Sequence, residues 1–360
     1  MKSTQQLLST LVKIPSVTGE TKTCKRAVSW VEDILGSQFA CKQFESKKVV
    51  SALFYSKRYS HKTKFSIILN AHLDVVPGSR SQFTPVVKAG RLYGRGAQDM
   101  KAGALVLIQV FQKLAEDLTY PIALQIVTDE ETGGANGVRH QLQHGVRADF
   151  VISGESTQLE IVHKAKGIMK VQLTTKGVAA HSAYPWNGKN AIEQMVMLLD
   201  KVKKIFPSVK ENMWRSSYNV AMINTTNTAS NVIPDNCSCI LDIRYVKEEL
   251  EDIQQKLKGL NDKNNHLHIE YVESAHSSNP NNEFVQKLAS AVKHVLNSQP
   301  IVRGAHGASD VRHFDEKGIA GVEFGPIGGG LHTDSEWVDL RSLDTYGRIL
   351  TDFLLSLDNR

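Results

Sequence analysis

Acidic and imidazole side chains recur in this sequence where apolar runs stop. The run FSIILNAHLD ends in His72 and Asp74, IALQIVTDEE in Asp129, Glu130 and Glu131, and FVISGE in Glu155. Asp99 follows the glycine-rich YGRGAQD, and His332 follows GPIGGGLH. Each residue alone has an ordinary explanation: Asp99 as a helix N-cap, His332 as a surface loop residue, Glu130 and Glu131 as parts of a solvated turn. Together, two imidazoles and three carboxylates make the mixed nitrogen and oxygen donor set that suits Zn²⁺ or a similar divalent ion. A carboxylate bridging two such ions holds them roughly 3.5 to 4 Å apart, the arrangement of two-metal hydrolases. The sequence has no HExxH or CxxC motif that would single out a metal by itself.

The elements that must hold these residues alternate between strand and helix. After an amphipathic N-terminal helix and the loop IPSVTGET, strands are predicted at FSIILN, IALQIVT and DFVIS, with a long helix at DMKAGALVLIQVFQKLAED opened by Asp99. That order predicts an α/β sheet with helices on its faces, whose functional groups gather beyond the carboxyl ends of the strands. From about Gly167 the pattern changes to strand, helix, strand, strand, helix, strand, carried by IMKVQLTTKG, NAIEQMVMLLDKVKKIF, SYNVAMINTT, CSCILDIRYV, EELEDIQQKLKGL and HLHIEYVES. This is the ferredoxin-like split unit. EFVQKLASAVKHVLN and GIAGVEFGP then return to α/β character. The expected organisation is an α/β domain from residues 1–166 and 277–360, interrupted by a smaller α+β domain over 167–276.

Composition limits the alternatives. A chain of 360 residues with 41% hydrophobic and 22% charged side chains is long enough for two packed domains of ordinary globular type. The net charge of +6 comes without a basic run interleaved with aromatics, so nucleic acid is not an expected partner. KVKKIF reads as a solvated helix face, and the charge as a mild preference for anionic small molecules. The N-terminus lacks an apolar h-region, and no segment approaches about 18 uninterrupted apolar residues, so a cytoplasmic protein without a membrane partner is expected. Cys24, Cys41, Cys237 and Cys239 form no CxxC pair or disulfide framework. Cys237 and Cys239 alternate on one strand and are expected to share a buried face.

Taken in order, IPSVTGE, AHLDVVP, GRGAQDMKAG, TDEETGG, GEST, AAHSAYPWNGKNAI, SNVIPD, GASD and GLHTDSEWV resemble the dinuclear zinc amidohydrolases and peptidases. That family includes acetylornithine deacetylase, succinyl-diaminopimelate desuccinylase, aminoacylase and bacterial glutamate carboxypeptidase. The resemblance spans nearly the whole chain and implies a metal-binding catalytic α/β domain with an inserted lid and dimerisation domain. It implies two divalent metal ions, zinc foremost, with cobalt or manganese as alternatives. His72 and Glu155 would bind one ion, Glu131 and His332 the other, and Asp99 would bridge them. Asp74 would be the acid that orients the His72 imidazole, and Glu130 the general base. The residues themselves do not distinguish Glu130 from Glu131, since both follow the same strand. His181 would supply an oxyanion donor, from the neighbouring subunit in similar dimers, while Asn231 and Arg244 would hold a substrate carboxylate. For Arg244, a salt bridge on an exposed strand is nearly as good a reading.

Two departures bear on substrate and ligation. Desuccinylases usually carry an arginine and a serine where this chain reads HKAKGIMKV; Lys166 and Ile168 supply neither a fork nor a hydroxyl, which argues against strict desuccinylase activity. GEST stands where proline more often follows the acid, a change that leaves Glu155 able to ligate. The expected activity is metal-dependent hydrolysis of the amide of an N-acyl amino acid or short peptide, in a homodimer formed through the inserted domain. The alternatives are a carboxypeptidase or dipeptidase of the same family, or a catalytically silent binding or assembly module.

Overall fold

The computed structural model describes residues 2–210 and 213–358. The backbone forms two compact units. The larger runs through Lys164 and resumes at Ser277–Gly304 and from Ser309 onward; the smaller is Ala165–His276 with Ala305–Ala308. The short segment 305–308 joins the smaller unit because the Lys166 N–H donates to the Ala305 carbonyl at 3.3 Å.

The main sheet of the larger unit has the strand order Phe39–Ser46, Val49–Ser56, Ile122–Val127, Lys64–His72, Arg147–Ser153, Ala320–Glu323, Ile161–Ala165, with His276–Ser277 and Val302–Ala305 both beside Ile161–Ala165. Its central strands are parallel: Lys64–His72 lies between Ile122–Val127 and Arg147–Ser153, and Ala320–Glu323 follows. Helices cover both faces of a parallel sheet, which is why Ile67, Ile68 and Leu69 are consecutive, apolar and fully buried. Each such side chain stabilises the fold by about 1.5–3 kcal/mol relative to exposure. Parallel strands also end on the same edge, so residues following different strands become neighbours there.

A buried polar chain aligns those ends. Ser153 Oγ donates to Asn70 Oδ1 at 2.9 Å, Asn70 Nδ2 to Gln125 Oε1 at 3.0 Å, and Gln125 Nε2 to Gln141 Oε1 at 3.0 Å. It ties together the three strands that lead into His72, Glu130 and Glu155. Buried polar networks of this kind fix one register among many apolar alternatives.

The predicted helix after YGRGAQD starts later than the sequence suggested. Asp99 is extended, with φ −116° and ψ 100°, and the regular helix is Ala102–Leu114. Asp99 is therefore not an N-cap, and its carboxylate faces histidines instead. Helix Leu340–Asp358, which the sequence reading did not anticipate, packs against Ala102–Leu114 and Glu283–Leu296. A second small sheet, also unanticipated, joins Gly328–Gly329, Trp337–Asp339, Arg91–Tyr93 and Val86–Lys88. It brings the loop bearing His332 beside the loop bearing Asp99.

The smaller unit is an antiparallel sheet in the order Ser217–Asn224, Asn236–Tyr245, Gly167–Lys176, Asn265–Glu273, covered by helices Ala191–Ile205 and Leu250–Lys258. The sequential order β-α-β-β-α-β and this strand order are those of the ferredoxin-like unit. Strict alternation places Cys237, Cys239, Leu241 and Ile243 on the covered face. No helix among the described residues is long and apolar enough to cross a membrane.

Candidate metal centre

His72 closes its strand with the imidazole 1% exposed. Its Nδ1 lies 3.0 Å from the Asp74 carbonyl oxygen, which can only accept, so the neutral ring carries its proton on Nδ1. That leaves Nε2 as the donor nitrogen, 3.0 Å from Asp99 Oδ1 and 3.7 Å from Glu155 Oε1. The other Asp99 oxygen, Oδ2, lies 3.0 Å from His332 Nε2, which is itself 3.2 Å from Glu131 Oε2. Two groups result, His72 with Asp99 and Glu155, and Asp99 with Glu131 and His332, each with its ligand atoms within 4.8 Å of one another. Asp99 belongs to both.

The turn after Ile122–Val127 is held from behind by Asp74. Asp74 Oδ1 accepts the Glu130 N–H at 3.3 Å, Oδ2 accepts the Glu131 N–H at 3.2 Å, and Thr18 Oγ1 donates to Oδ2 at 2.9 Å. The Asp74 carboxylate is 3.5 Å from His72 Nδ1, farther than its own carbonyl. IPSVTGE thereby gains a role that the sequence reading left blank. Its Ser16 Oγ donates to the Leu73 carbonyl at 2.5 Å, and Val17 pairs with Val75 alongside the strand end.

Glycines permit the close approach. A Cβ on Gly103 would lie 1.9 Å from the Gly154 carbonyl oxygen, and one on Gly154 would lie 2.8 Å from Leu107 Cδ1. Only bare backbone at both positions lets the helix following Asp99 lie against the segment leading to Glu155.

The electrostatics are those of a crowded acidic site. Burial pushes Glu131 up to about 7, with Asp99 adding to the effect. Burial also raises Glu130 and Glu155 well above the ordinary carboxylate range, against the lowering influence of His72. Asp99 is held below its usual value: its hydrogen bonds to His332 and His72 outweigh the burial that would raise it. Burial alone would lower the His72 pKa, but Asp74 and Asp99 raise it well above its ordinary value. His332 is raised chiefly by its hydrogen bond to Asp99. Asp310, 1% exposed, accepts no hydrogen bond at either carboxylate oxygen among the described residues, and burial pushes it up to about 7. Carboxylates packed this densely, with imidazole nitrogens facing a shared oxygen pair, fit divalent cations by charge and by donor type.

The remaining predicted residues lie in the smaller unit. His181 is exposed, and its Nδ1 accepts the Ala183 N–H at 3.1 Å, which places a ring proton on Nε2. Asn231 is next to it, since the Ser182 N–H donates to the Asn231 carbonyl at 2.9 Å. Arg244 donates from Nε to Asp242 Oδ1 at 2.8 Å and from an Nη to Oδ2 at 3.1 Å, the local salt bridge weighed for it above. Lys166 is 1% exposed, with its ammonium 5.9 Å from the Trp214 ring.

Sequence reasoning missed Glu336. It lies four residues after His332 in GLHTDSEWV, where an acid before an aromatic reads as a surface residue. It is 1% exposed and accepts from Arg95, Gln98 and Asp99.

Comparison with known proteins gives the same outline. A family model described as peptidase family M20/M25/M40 matches residues 68–356. A succinyl-diaminopimelate desuccinylase from Alkalilimnicola ehrlichii is 28% identical over 381 residues, covering 99% of this chain and all of the relative. A tripeptidase from Staphylococcus aureus superposes with a TM-score of 0.83 at 19% identity, over 100% of both chains. A dinuclear metal-binding peptidase of the M20 family from Bacillus subtilis gives 0.72 at 14% identity, over 99% of this chain and 98% of the other.

Proposed function

Because the chain belongs to peptidase family M20/M25/M40, we infer that it is a metal-dependent hydrolase of the amide bond of an N-acyl amino acid or short peptide. The observation that carries this reading is the sharing of Asp99 between two imidazoles, each with a further carboxylate beside it. His72, Asp99 and Glu155 would hold one divalent ion, and Asp99, Glu131 and His332 the second. Zinc suits this nitrogen and oxygen set best, with cobalt and manganese as substitutes. When bound, the ions supply Lewis acidity: they acidify water and polarise the scissile carbonyl.

The protein's own side chains then move protons and fix geometry. Glu130, lifted by burial and by neighbouring carboxylates, is suited to take a proton from the attacking water and hand it to the departing amine. The Asp74 carboxylate positions Glu130 by accepting the backbone N–H groups of the turn, not by touching the Glu130 side chain. His181, with its proton on Nε2, is suited to donate to the developing oxyanion. Asn231, beside it, is the better placed of the two carboxylate-binding residues, because the Arg244 fork is already engaged by Asp242.

The smaller unit supports a role as lid and dimerisation domain. Strand Ser217–Asn224 is an unpaired sheet edge with Val220, Met222 and Ile223 exposed, and helix Ala191–Ile205 exposes Ile192, Val196 and Met197. Open edges and apolar helix faces are covered in stable proteins, and a second copy of this unit would cover both. A homodimer follows, which sedimentation at micromolar concentration checks; a monomer there contradicts it. The cysteines, free among the described residues, suit the cytoplasm.

The activity is tested by supplying the purified protein with Zn²⁺ or Co²⁺ and comparing N-acetyl amino acids, N-succinyl amino acids and dipeptides. Hydrolysis of one class identifies the substrate. A protein that binds two ions yet cleaves none of the three is the silent module.

A further inference from the structure

Asp99 has to serve both halves of the centre, yet no helix holds its backbone. Instead, the Gln98–Asp99 peptide is gripped on both of its polar groups. Its carbonyl oxygen, on Gln98, accepts from Ser156 Oγ at 2.8 Å, and its N–H, on Asp99, donates to Glu336 Oε1 at 3.1 Å. Glu336 Oε1 also accepts the Gln98 N–H at 2.9 Å, while Oε2 accepts from Arg95 Nη1 at 2.7 Å. The Arg95 and Glu336 side chains are 4% and 1% exposed, so solvent screens this ion pair little. Ser156 directly follows Glu155, and Glu336 follows His332 by one helical turn's worth of sequence. Each arm of the clamp is thus attached to the loop that bears a ligand of a different half.

We propose that Ser156 and Glu336 are positioning residues that clamp the Gln98–Asp99 peptide and so set how the Asp99 carboxylate is divided between two cations. The proposal rests on the dinuclear reading of the site. Its physical basis is that the two Asp99 oxygens serve different imidazoles at the same 3.0 Å separation. Rotation of the peptide that favours one oxygen withdraws the other. Two grips on one peptide plane, from opposite loops, restrain that rotation, and groups in this supporting position are commonly worth about 10- to 100-fold in metal affinity.

The test uses full-length protein, stripped with chelator and titrated with Co²⁺, as wild type, Ser156→Ala and Glu336→Gln. Calorimetry gives the two affinities, electron paramagnetic resonance the magnetic coupling between the ions, and thermal unfolding of the stripped protein the cost to the fold. We expect the weaker affinity to fall about 10- to 100-fold in each variant and the coupling signal to change, with the stripped Ser156→Ala protein unfolding as wild type does. Wild-type affinities and an unchanged coupling signal in the variants overturn the clamp while leaving the dinuclear reading intact. Fewer than two ions in the wild type overturns that reading and the clamp with it. Should Glu336→Gln fail to fold, Ser156→Ala, which removes one hydroxyl, decides alone.

Discussion

The His72 imidazole leans on the backbone of Asp74, with Nδ1 3.0 Å from its carbonyl oxygen against 3.5 Å from its carboxylate. The carboxylate is left to organise the opposite loop, accepting the N–H groups of Glu130 and Glu131 and the Thr18 hydroxyl. One residue therefore orients the His72 ring through its main chain and fixes the backbone of Glu130 and Glu131, the proposed base and a proposed second ligand, through its side chain. A single substitution at Asp74 would disturb all three.

Glu130→Gln isolates the base from the ligands. The amide keeps the shape of the side chain and the turn behind it, so both ions should remain bound. Turnover should fall by about 10²- to 10⁴-fold, the usual contribution of general acid–base catalysis. Metal analysis beside a steady-state assay checks this; undiminished turnover removes Glu130 from its role.

His181→Ala separates oxyanion stabilisation from metal binding. The imidazole lies in the smaller unit with Nε2–H available, and losing one such donor lowers kcat by about 10²- to 10³-fold. Metal content should stay at the wild-type level. An unchanged kcat would make His181 a surface residue held by Ala183 and nothing more.

Gly103→Ala tests the close approach between Ala102–Leu114 and Gly154. The added methyl would sit 1.9 Å from a carbonyl oxygen, so helix and strand end must separate. Overpacking of this kind costs about 1–3 kcal/mol, and urea unfolding would show it. Because Glu155 is the next residue after Gly154, the affinity for the ion it is proposed to share with His72 should fall too. A variant with wild-type stability and affinity would refute the argument.

The site was more legible in the sequence than its supports. His72, Glu130 and Glu155 follow apolar runs whose length and composition announce parallel strands, and such strands end together. The alternating strands of the smaller unit, such as Asn236–Tyr245, were readable for the same periodic reason. Glu336 left no local trace, since its bond to Gln98 spans 238 residues and depends on a small sheet of two- and three-residue strands. Such strands are too short for periodicity. The start of the helix after Asp99 was misplaced because Met100 and Ala102 continue the apolar pattern of the helix while the backbone at Asp99 and Met100 is still non-helical. Apolar patterning reports burial, and the carboxylate geometry here is fixed by polar contacts across the chain.

The chelated protein should lose stability as pH rises from about 4.5 to about 7. Burial pushes Glu131, Asp310 and Glu323 up to about 7 and Asp129 up to about 6, above the roughly 4 of unfolded carboxylates. In that window the folded chain binds more protons than the unfolded one, so stability falls with rising pH. His72, also raised, adds to the loss above its unfolded value. His313, lowered to about 3 by burial, and His140, also lowered by burial, work the other way, against a larger number of raised groups. A drop in unfolding midpoint on the order of 5 °C is expected between pH 5 and 7, made smaller by saturating Zn²⁺, which would remove the contributions of Glu131 and His72 but not those of Asp310, Glu323 and Asp129. A midpoint that rises over this range in chelator would contradict the assignment.

The most direct test of the shared centre is a Zn²⁺ titration of stripped wild type, Glu155→Ala and Asp99→Ala, with bound metal counted by mass spectrometry and amide hydrolysis followed in the same samples. Two ions per chain are expected in wild type, one in Glu155→Ala and weakened binding of both in Asp99→Ala, with hydrolysis tracking occupancy. Full hydrolysis in stripped wild type, or an Asp99→Ala protein that still binds two ions as tightly, would contradict it.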